Sequence, residues 1–226
     1  MLVDIPTVLT PAEAAAIRSR LAGATWIDGA ATAGQVAARA KTNRQLADDD
    51  PAGIEIGRAI LDRLAQTPGF IAAALPRKVL PPRFNLYAAQ GAYGRHIDNA
   101  VFTAPGSPER VRSDLSATLF LSDPDDYDGG ELIAEFGVAH PPVKLPAGHL
   151  LLYPSNTLHQ VTPVTRGTRY ACFFWVQSLV REQVRRTMLL DLDNSIQAIA
   201  TRDPDAPEIV RLTGLYHNLL REWAET

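Results

Sequence analysis

The segment "GRHIDNA", residues Gly94 to Ala100, sets a histidine and an aspartate two positions apart inside a strand-like run. A strand turns successive side chains to opposite faces, so His96 and Asp98 are expected to point the same way. A second histidine, His159, falls in "YPSNTLHQVTPV", and Arg169 follows it ten positions later, beyond the turn-like "TRG". Because ten is even, His159 and Arg169 share a face of a simple hairpin only if its loop is odd in length, as one centred on Arg166 or Gly167 with a bulge would be.

Two imidazoles and one carboxylate on one face of a metal leave further coordination positions open, the donor set of non-haem Fe(II) oxygenases. Imidazole nitrogen suits a divalent first-row metal, and the carboxylate offsets part of its charge. Open positions admit a chelating cosubstrate and O2. A permanently charged, planar guanidinium at Arg169 would then suit bidentate capture of a distal carboxylate. Each residue alone has an ordinary structural use. Polar pairs at this spacing are common on exposed strand faces, His159 alone reads as a hydrogen-bonded strand histidine, and Arg169 alone as a surface residue beside a turn. His140 and His149 flank "PPVKLPAG" as strand-end or loop residues, and His217 sits in a terminal helix; all three read as structural.

The elements that must position these residues are legible in outline. "LTPAEAAAIRSRLAGA" begins a helix with Thr10 as N-cap, Pro11 in the first turn and Glu13 closing a capping box, and Ile17 and Leu21 share its apolar stripe. A second helix is expected from Gly53 to Gln66, carrying Ile54, Ile56, Ile60, Leu61 and Leu64. "WIDGAATAGQVAARAKTNRQL" is ambiguous, with a strand and then a loop at its start. From Pro82 the period becomes that of strands: "RFNLYAA", "RHIDNAV", "LSATLFLSD", "GELIAEF", "VKLPAGHLLLYPS", "LHQVTPV" and "TRYACFFWVQS". Turn-rich pieces such as "QGAYG", "DDYDGG" and "TRGT" separate them, and the longest insert, "TAPGSPERVRSD", is a candidate lid. Many short strands with short turns predict a double-sheet jelly-roll or barrel rather than a βαβ fold. After Gln177 the pattern is helical again, with Val184, Met188 and Leu192 at four-residue intervals, and "TRDPDAP" divides two terminal helices.

Composition narrows the classes. With 226 residues, 46% hydrophobic and 21% charged, the chain is long and apolar enough for one sizeable globular core. A net charge of -3 gives no reason to expect nucleic acid or an anionic membrane surface as partner. The single cysteine, Cys172, excludes an internal disulfide and a cysteine-based zinc site. "MLVDIPTVLT" lacks a basic n-region, and no apolar run approaches the ~18 residues of a membrane span, so a cytoplasmic protein is expected.

The stretch from "FNLYAAQGAYGRHIDNAV" through "RSDLSATLFLSDPDDYDGGELIAEF" to "VKLPAGHLLLYPSNTLHQVTPVTRGTRYACFFWVQS" resembles the Fe(II)- and 2-oxoglutarate-dependent dioxygenases of the prolyl 4-hydroxylase class. More narrowly it is similar to the bacterial PKHD-type hydroxylases. "LTPAEAAAIRSRL" and "KTNRQL" resemble that group's N-terminal part, and "SLVREQVRRTMLLDLDNSIQAI" its C-terminal helices. The resemblance implies a mainly β fold, a double-stranded β-helix (jelly-roll, cupin-like) core with N-terminal helices packed on the sheet and a C-terminal helical tail. It divides the chain into a support region at 1–80, the dioxygenase core at 81–178 and a helical segment at 179–226. It implies that His96, Asp98 and His159 bind Fe(II) and that Arg169 receives the distal carboxylate of 2-oxoglutarate. Tyr87 and Tyr93 would line the cosubstrate side, Tyr87 in a supporting role. O2 would be consumed, with L-ascorbate as reductant, and 2-oxoglutarate would become succinate and CO2 as a substrate C–H bond is hydroxylated. The target stays open among a peptide, an amino acid and a siderophore-like metabolite, and a homo-oligomer is compatible. A non-catalytic cupin-like sensor of metal or 2-oxoglutarate, or a metal-dependent isomerase or lyase on the same barrel, are the alternatives. Arg169 speaks against a sensor of metal alone.

Overall fold

The computed structural model describes residues 2–32, 40–135, 137 and 141–225. The small-residue run at 33–39 and His140 lie outside them. Near the N-terminus, β1 (Val3–Ile5) leads into α1 (Pro11–Ala22). The expected capping box is formed: the Glu13 amide donates to Thr10 Oγ1 at 3.2 Å, and the Thr10 amide donates to Glu13 Oε2 at 2.7 Å. β2 (Trp26–Asp28) and β3 (Arg44–Leu46) pair antiparallel. α2 (Pro51–Leu64) starts earlier than the sequence suggests because Asp50 caps it, accepting from the Gly53 amide at 2.9 Å. It ends at Leu64, and Pro68, with no amide hydrogen to donate, opens a separate helix, α3 (Pro68–Ala74).

From there the chain is mostly strand: β4 (Pro76–Val79), β5 (Arg83–Ala88), β6 (Tyr93–His96), β7 (Val101–Thr103), β8 (Arg110–Arg112) and β9 (Leu115–Phe120). β10 (Tyr127–Gly129), β11 (Leu132–Ala134), β12 (Pro142–Val143), β13 (Leu150–Pro154), β14 (His159–Val161) and β15 (Val164–Ser178) complete the set. A large antiparallel sheet runs β1-β13-β9-β15-β5-β3-β2, with β10 and β4 pairing the two ends of β15. A smaller sheet, β12-β11-β14-β6, faces it, and β7 and β8 form a separate hairpin that spans most of the insert read as a candidate lid.

Alternation along β15 explains how one strand serves two cores. Cys172, Phe174 and Val176 turn outward and pack with Leu21, Ile56, Ile60 and Phe70 from the helices. Residues of opposite parity, Arg169, Ala171, Phe173 and Trp175, turn toward the small sheet and line the cavity between the sheets. Between the sheets lie Tyr87, Phe120, Tyr127, Leu151, Tyr153 and Val161. Burying a large apolar side chain contributes about 1.5–3 kcal/mol, so both layers hold the cavity walls rigidly.

Two expectations need correction. The "TRG" segment is not the turn between β14 and β15; Gly167 lies within β15 and pairs Tyr127, and the two strands are joined by Thr162 and Pro163. Nor do β14 and β15 form a hairpin: β14 pairs β11 and β6, while β15 pairs β5 and β9. His159 and Arg169 therefore meet across facing sheets, and the parity condition on a hairpin loop does not apply.

The tail comprises α4 (Gln183–Arg202) and α5 (Pro207–Trp223). Leu189 of α4 packs with Leu75 and Val180, against Tyr216, Leu219 and Trp223 of α5. The four-residue series noted in the sequence lies off the packed face, since Val184 and Met188 are 64% and 54% exposed. Arg186 is buried in their place, and its guanidinium donates to the Val180 and Arg181 carbonyls at 2.7 Å each. Arg186, Leu189 and Ile196 are the buried residues of α4. Among the described residues no helix is long and apolar enough to cross a membrane.

Candidate metal centre

His159 and His96 are register partners on β14 and β6, so pairing in the small sheet sets two imidazoles side by side. Their ring centroids are 4.1 Å apart. Each ring is fixed in the same way. His96 Nδ1 lies 2.8 Å from the Gly94 carbonyl and His159 Nδ1 lies 2.9 Å from the Thr157 carbonyl. A carbonyl only accepts, so both Nδ1 atoms carry hydrogen and both Nε2 lone pairs remain for a metal. Tyr93 stacks on His96 with centroids 3.6 Å apart, and Tyr153 meets the edge of His159 at 5.1 Å.

Asp98 reaches the same point by a different route from the one its spacing suggests. β6 ends at His96, and Asp98 lies in irregular chain just beyond it. Its placement comes from the large sheet: Ser116 on β9 donates to Asp98 Oδ2 at 2.5 Å, and Ser113 holds the Asn99 carbonyl. Asp98 Oδ2 is then 3.8 Å from His159 Nε2. One donor atom from each of His96, Asp98 and His159 lies within 4.8 Å of the others. Burial, followed by the neighbouring His159, pushes His96 down to about 4, so its imidazole is neutral at physiological pH, as a ligand must be.

Arg169 is 1% exposed at the deep end of the same cavity. It is the register partner of Tyr87 on β5, and its guanidinium lies 5.1 Å from the Tyr87 ring and 5.2 Å from the Phe120 ring. Among the described residues its Nε and Nη2 have no hydrogen-bond partner, and neither has the buried Tyr127 hydroxyl. Unpaired buried guanidinium nitrogens are costly, and a two-oxygen anion would satisfy both along one edge of the fork. The Tyr87 hydroxyl accepts from Asn85 Nδ2 at 3.2 Å, which leaves its own proton to donate. Burial raises its pKa, so it remains a phenol.

The residues present therefore fit a divalent metal with a bidentate anionic cosubstrate: an imidazole–imidazole–carboxylate set at one point and an unpaired guanidinium in the same cavity. The sequence singled out the three donors, Arg169 and Tyr87, and the fold brings them into one cavity. It missed Lys41, Asn85, Ser116, Phe102 and Trp175, which also line it. Serine at 116 carries no motif of its own; only the pairing of β9 reveals it. His149 pairs Asp4 at 3.1 Å, and His217 is exposed on α5, so neither belongs to this centre.

Comparison with known proteins agrees with this geometry. Residues 82–177 match the 2OG-Fe(II) oxygenase superfamily, and residues 184–225 match the PKHD-type hydroxylase C-terminal domain. A PKHD-type hydroxylase of Nitrobacter winogradskyi is 59% identical over 226 residues, covering all of both chains. One of Parvibaculum lavamentivorans is 56% identical over the same span, again covering both chains completely. Among solved structures, a prolyl-4-hydroxylase of Pseudomonas putida gives a TM-score of 0.51 at 20% identity, covering 78% of this chain and 92% of that one. A prolyl hydroxylase of Trichoplax adhaerens, in complex with a hypoxia inducible factor peptide fragment, gives 0.55 at 16% identity, covering 77% and 82%. These structures share the fold, a jelly-roll core with flanking helices. The site and fold define an oxygenase of the 2OG-Fe(II) class. Within it, the chain belongs to the PKHD-type hydroxylases. It is an Fe(II)- and 2-oxoglutarate-dependent dioxygenase, an oxidoreductase that couples oxidative decarboxylation of 2-oxoglutarate to succinate and CO2 with hydroxylation of a substrate C–H bond.

Proposed function

We propose that Nε2 of His96, Nε2 of His159 and the Asp98 carboxylate hold the Fe(II), and that Arg169 receives the distal carboxylate of 2-oxoglutarate. The observation that carries this reading is the convergence of the three donors within 4.8 Å in the cavity where Arg169 keeps two unpaired nitrogens. When bound, the metal supplies the redox chemistry of the hydroxylation and open positions for cosubstrate and O2. The protein supplies geometry and shelter. Arg169 fixes the far end of 2-oxoglutarate, and the Tyr87 proton, freed by the Asn85 contact, donates to a carboxylate oxygen.

In the cavity wall, Phe102 stacks on Trp175 with centroids 4.1 Å apart. Arg83, Phe102 and Trp175 also line a second groove of about 440 Å³, between α2 and the β7–β8 hairpin. We place the body of the substrate there, with its reacting carbon toward the metal. A groove of this size sharing a wall with the metal cavity favours a turnover site over a sensor of 2-oxoglutarate alone.

The substrate is read as a small molecule or a peptidyl group. Ascorbate is the assigned reductant, keeping the iron ferrous, and the cytoplasm, which supplies 2-oxoglutarate and reduced iron, the assigned compartment. The test is anaerobic titration of the Fe(II) protein with 2-oxoglutarate, followed by succinate release in air. The reading expects one metal and one 2-oxoglutarate per chain; binding that survives loss of both His159 and Asp98 would overturn it.

A further inference from the structure

Asp98 is held by a buried serine pair. Ser116 Oγ lies 2.5 Å from Asp98 Oδ2 and 2.8 Å from Ser155 Oγ, and the two serines are 2% and 3% exposed. A hydroxyl has one proton. Ser116 spends it on the carboxylate, which can only accept, so the 2.8 Å contact must run with Ser155 donating to Ser116. The order Ser155 to Ser116 to Asp98 makes the first bond polarise the second, at the charged end where hydrogen bonds are strongest.

The backbone makes this pair more than a satisfied core serine. Asp98 has left β6 and, among the described residues, has no strand pairing of its own. Ser116, by contrast, sits in the middle of the large sheet, paired with Tyr153 on one side and Trp175 on the other. Ser155, just past the end of β13, has its amide bound to the Asp114 carbonyl at 3.2 Å. A central strand and a pinned turn thus hold the two hydroxyls, and through them a carboxylate on irregular chain.

We infer that Ser116, backed by Ser155, is the positioning residue that orients the Asp98 carboxylate for the metal. The inference rests on Asp98 being a ligand. Groups that orient a metal ligand change affinity by about 10–100-fold when removed.

The test uses the metal-free full chain and Co(II) as probe, read by equilibrium competition with a chelator and by the visible ligand-field spectrum. Ser116→Ala is expected to bind Co(II) about 10–100-fold more weakly, with an altered spectrum. Ser155→Ala, which touches no ligand, is expected to show a smaller loss in the same direction, and the double variant to match Ser116→Ala alone, because the bonds act in series. Wild-type affinity and spectrum in Ser116→Ala would overturn the inference. Should Ser116→Ala fail to fold, Ser155→Ala decides it: unchanged Co(II) affinity there counts against the relay. Asp98→Ala separates the two levels, since tight Co(II) binding in that variant would remove the ligand assignment itself, whereas its loss alongside an unaffected Ser116→Ala would remove only the serine pair.

Discussion

His96 and His159 form a matched pair across β6 and β14, each bound through Nδ1 to the carbonyl two residues before it. The same local turn of side chain onto backbone therefore presents two Nε2 atoms to one point, before any metal arrives. Such preorganisation spares binding the cost of ordering the rings.

From this, Asp98→Ala and His159→Ala are expected to lose tight metal binding and to bring 2-oxoglutarate turnover below measurement. Circular dichroism should remain that of the wild type, because neither side chain belongs to the apolar layers. Retained turnover in either purified variant would contradict the assignment of these ligands.

Arg169→Ala addresses the other end of the cavity. A two-bond ion pair to a buried guanidinium contributes about 2–3 kcal/mol, which corresponds to roughly a 30–150-fold rise in the dissociation constant for 2-oxoglutarate. Metal affinity measured without 2-oxoglutarate should change little. A ligand lacking the distal carboxylate, such as 2-oxobutyrate, should bind both proteins alike, and a penalty of equal size for both ligands would argue against the contact.

How much of this was legible follows from what kind of information each residue carries. His96, Asp98, His159 and Arg169 are chemically distinctive, and their order along short strands is readable. The geometry joining them is not. Spacing in sequence suggested that Asp98 shares a strand with His96 and that Arg169 shares a hairpin with His159. The fold instead uses a serine on β9 for the first and the facing of two sheets for the second. Long-range strand pairing depends on which surfaces bury each other, and alternation alone does not choose the partner strand. The tail shows the same limit: a four-residue period marked a helix correctly, yet Val184 and Met188 face solvent because a buried arginine, Arg186, anchors the helix start.

The "DGGEL" turn gains a physical reason. Gly130 has φ +67°, and a Cβ there would lie 2.8 Å from Val164, 3.0 Å from Tyr127 and 3.1 Å from Arg169 Cδ. Gly130→Ala is expected to cost about 2–4 kcal/mol, combining left-handed backbone strain with overpacking, and to weaken 2-oxoglutarate binding by displacing Arg169. Gly106→Ala, with φ +70° but open space, should cost only about 1 kcal/mol and leave binding unchanged. Denaturant titrations of the two variants, with 2-oxoglutarate affinity alongside, distinguish steric from backbone effects.

Lys41 supplies a pH signature of the metal-free protein. Its ammonium donates to Gln45 Oε1 at 2.8 Å in the cavity wall, and its pKa is pushed down to about 8, first by burial and then by the charge of Arg83. Asp28, Asp48 and Asp98 oppose the shift. A base whose pKa falls on folding destabilises the fold fully at pH values below the folded pKa, where both states hold the proton. Between about 8 and the ordinary value of 10.5 the unfolded chain binds more protons, so stability rises with pH across that window. Lys41→Met should therefore stabilise the protein at pH 7, by about 1–2 kcal/mol once the lost polar contacts and partial solvation are discounted. The advantage should shrink by pH 10 as the native lysine sheds its proton. Guanidinium unfolding of wild type and variant at the two pH values measures both numbers, and a difference independent of pH would show that Lys41 does not titrate as its surroundings require.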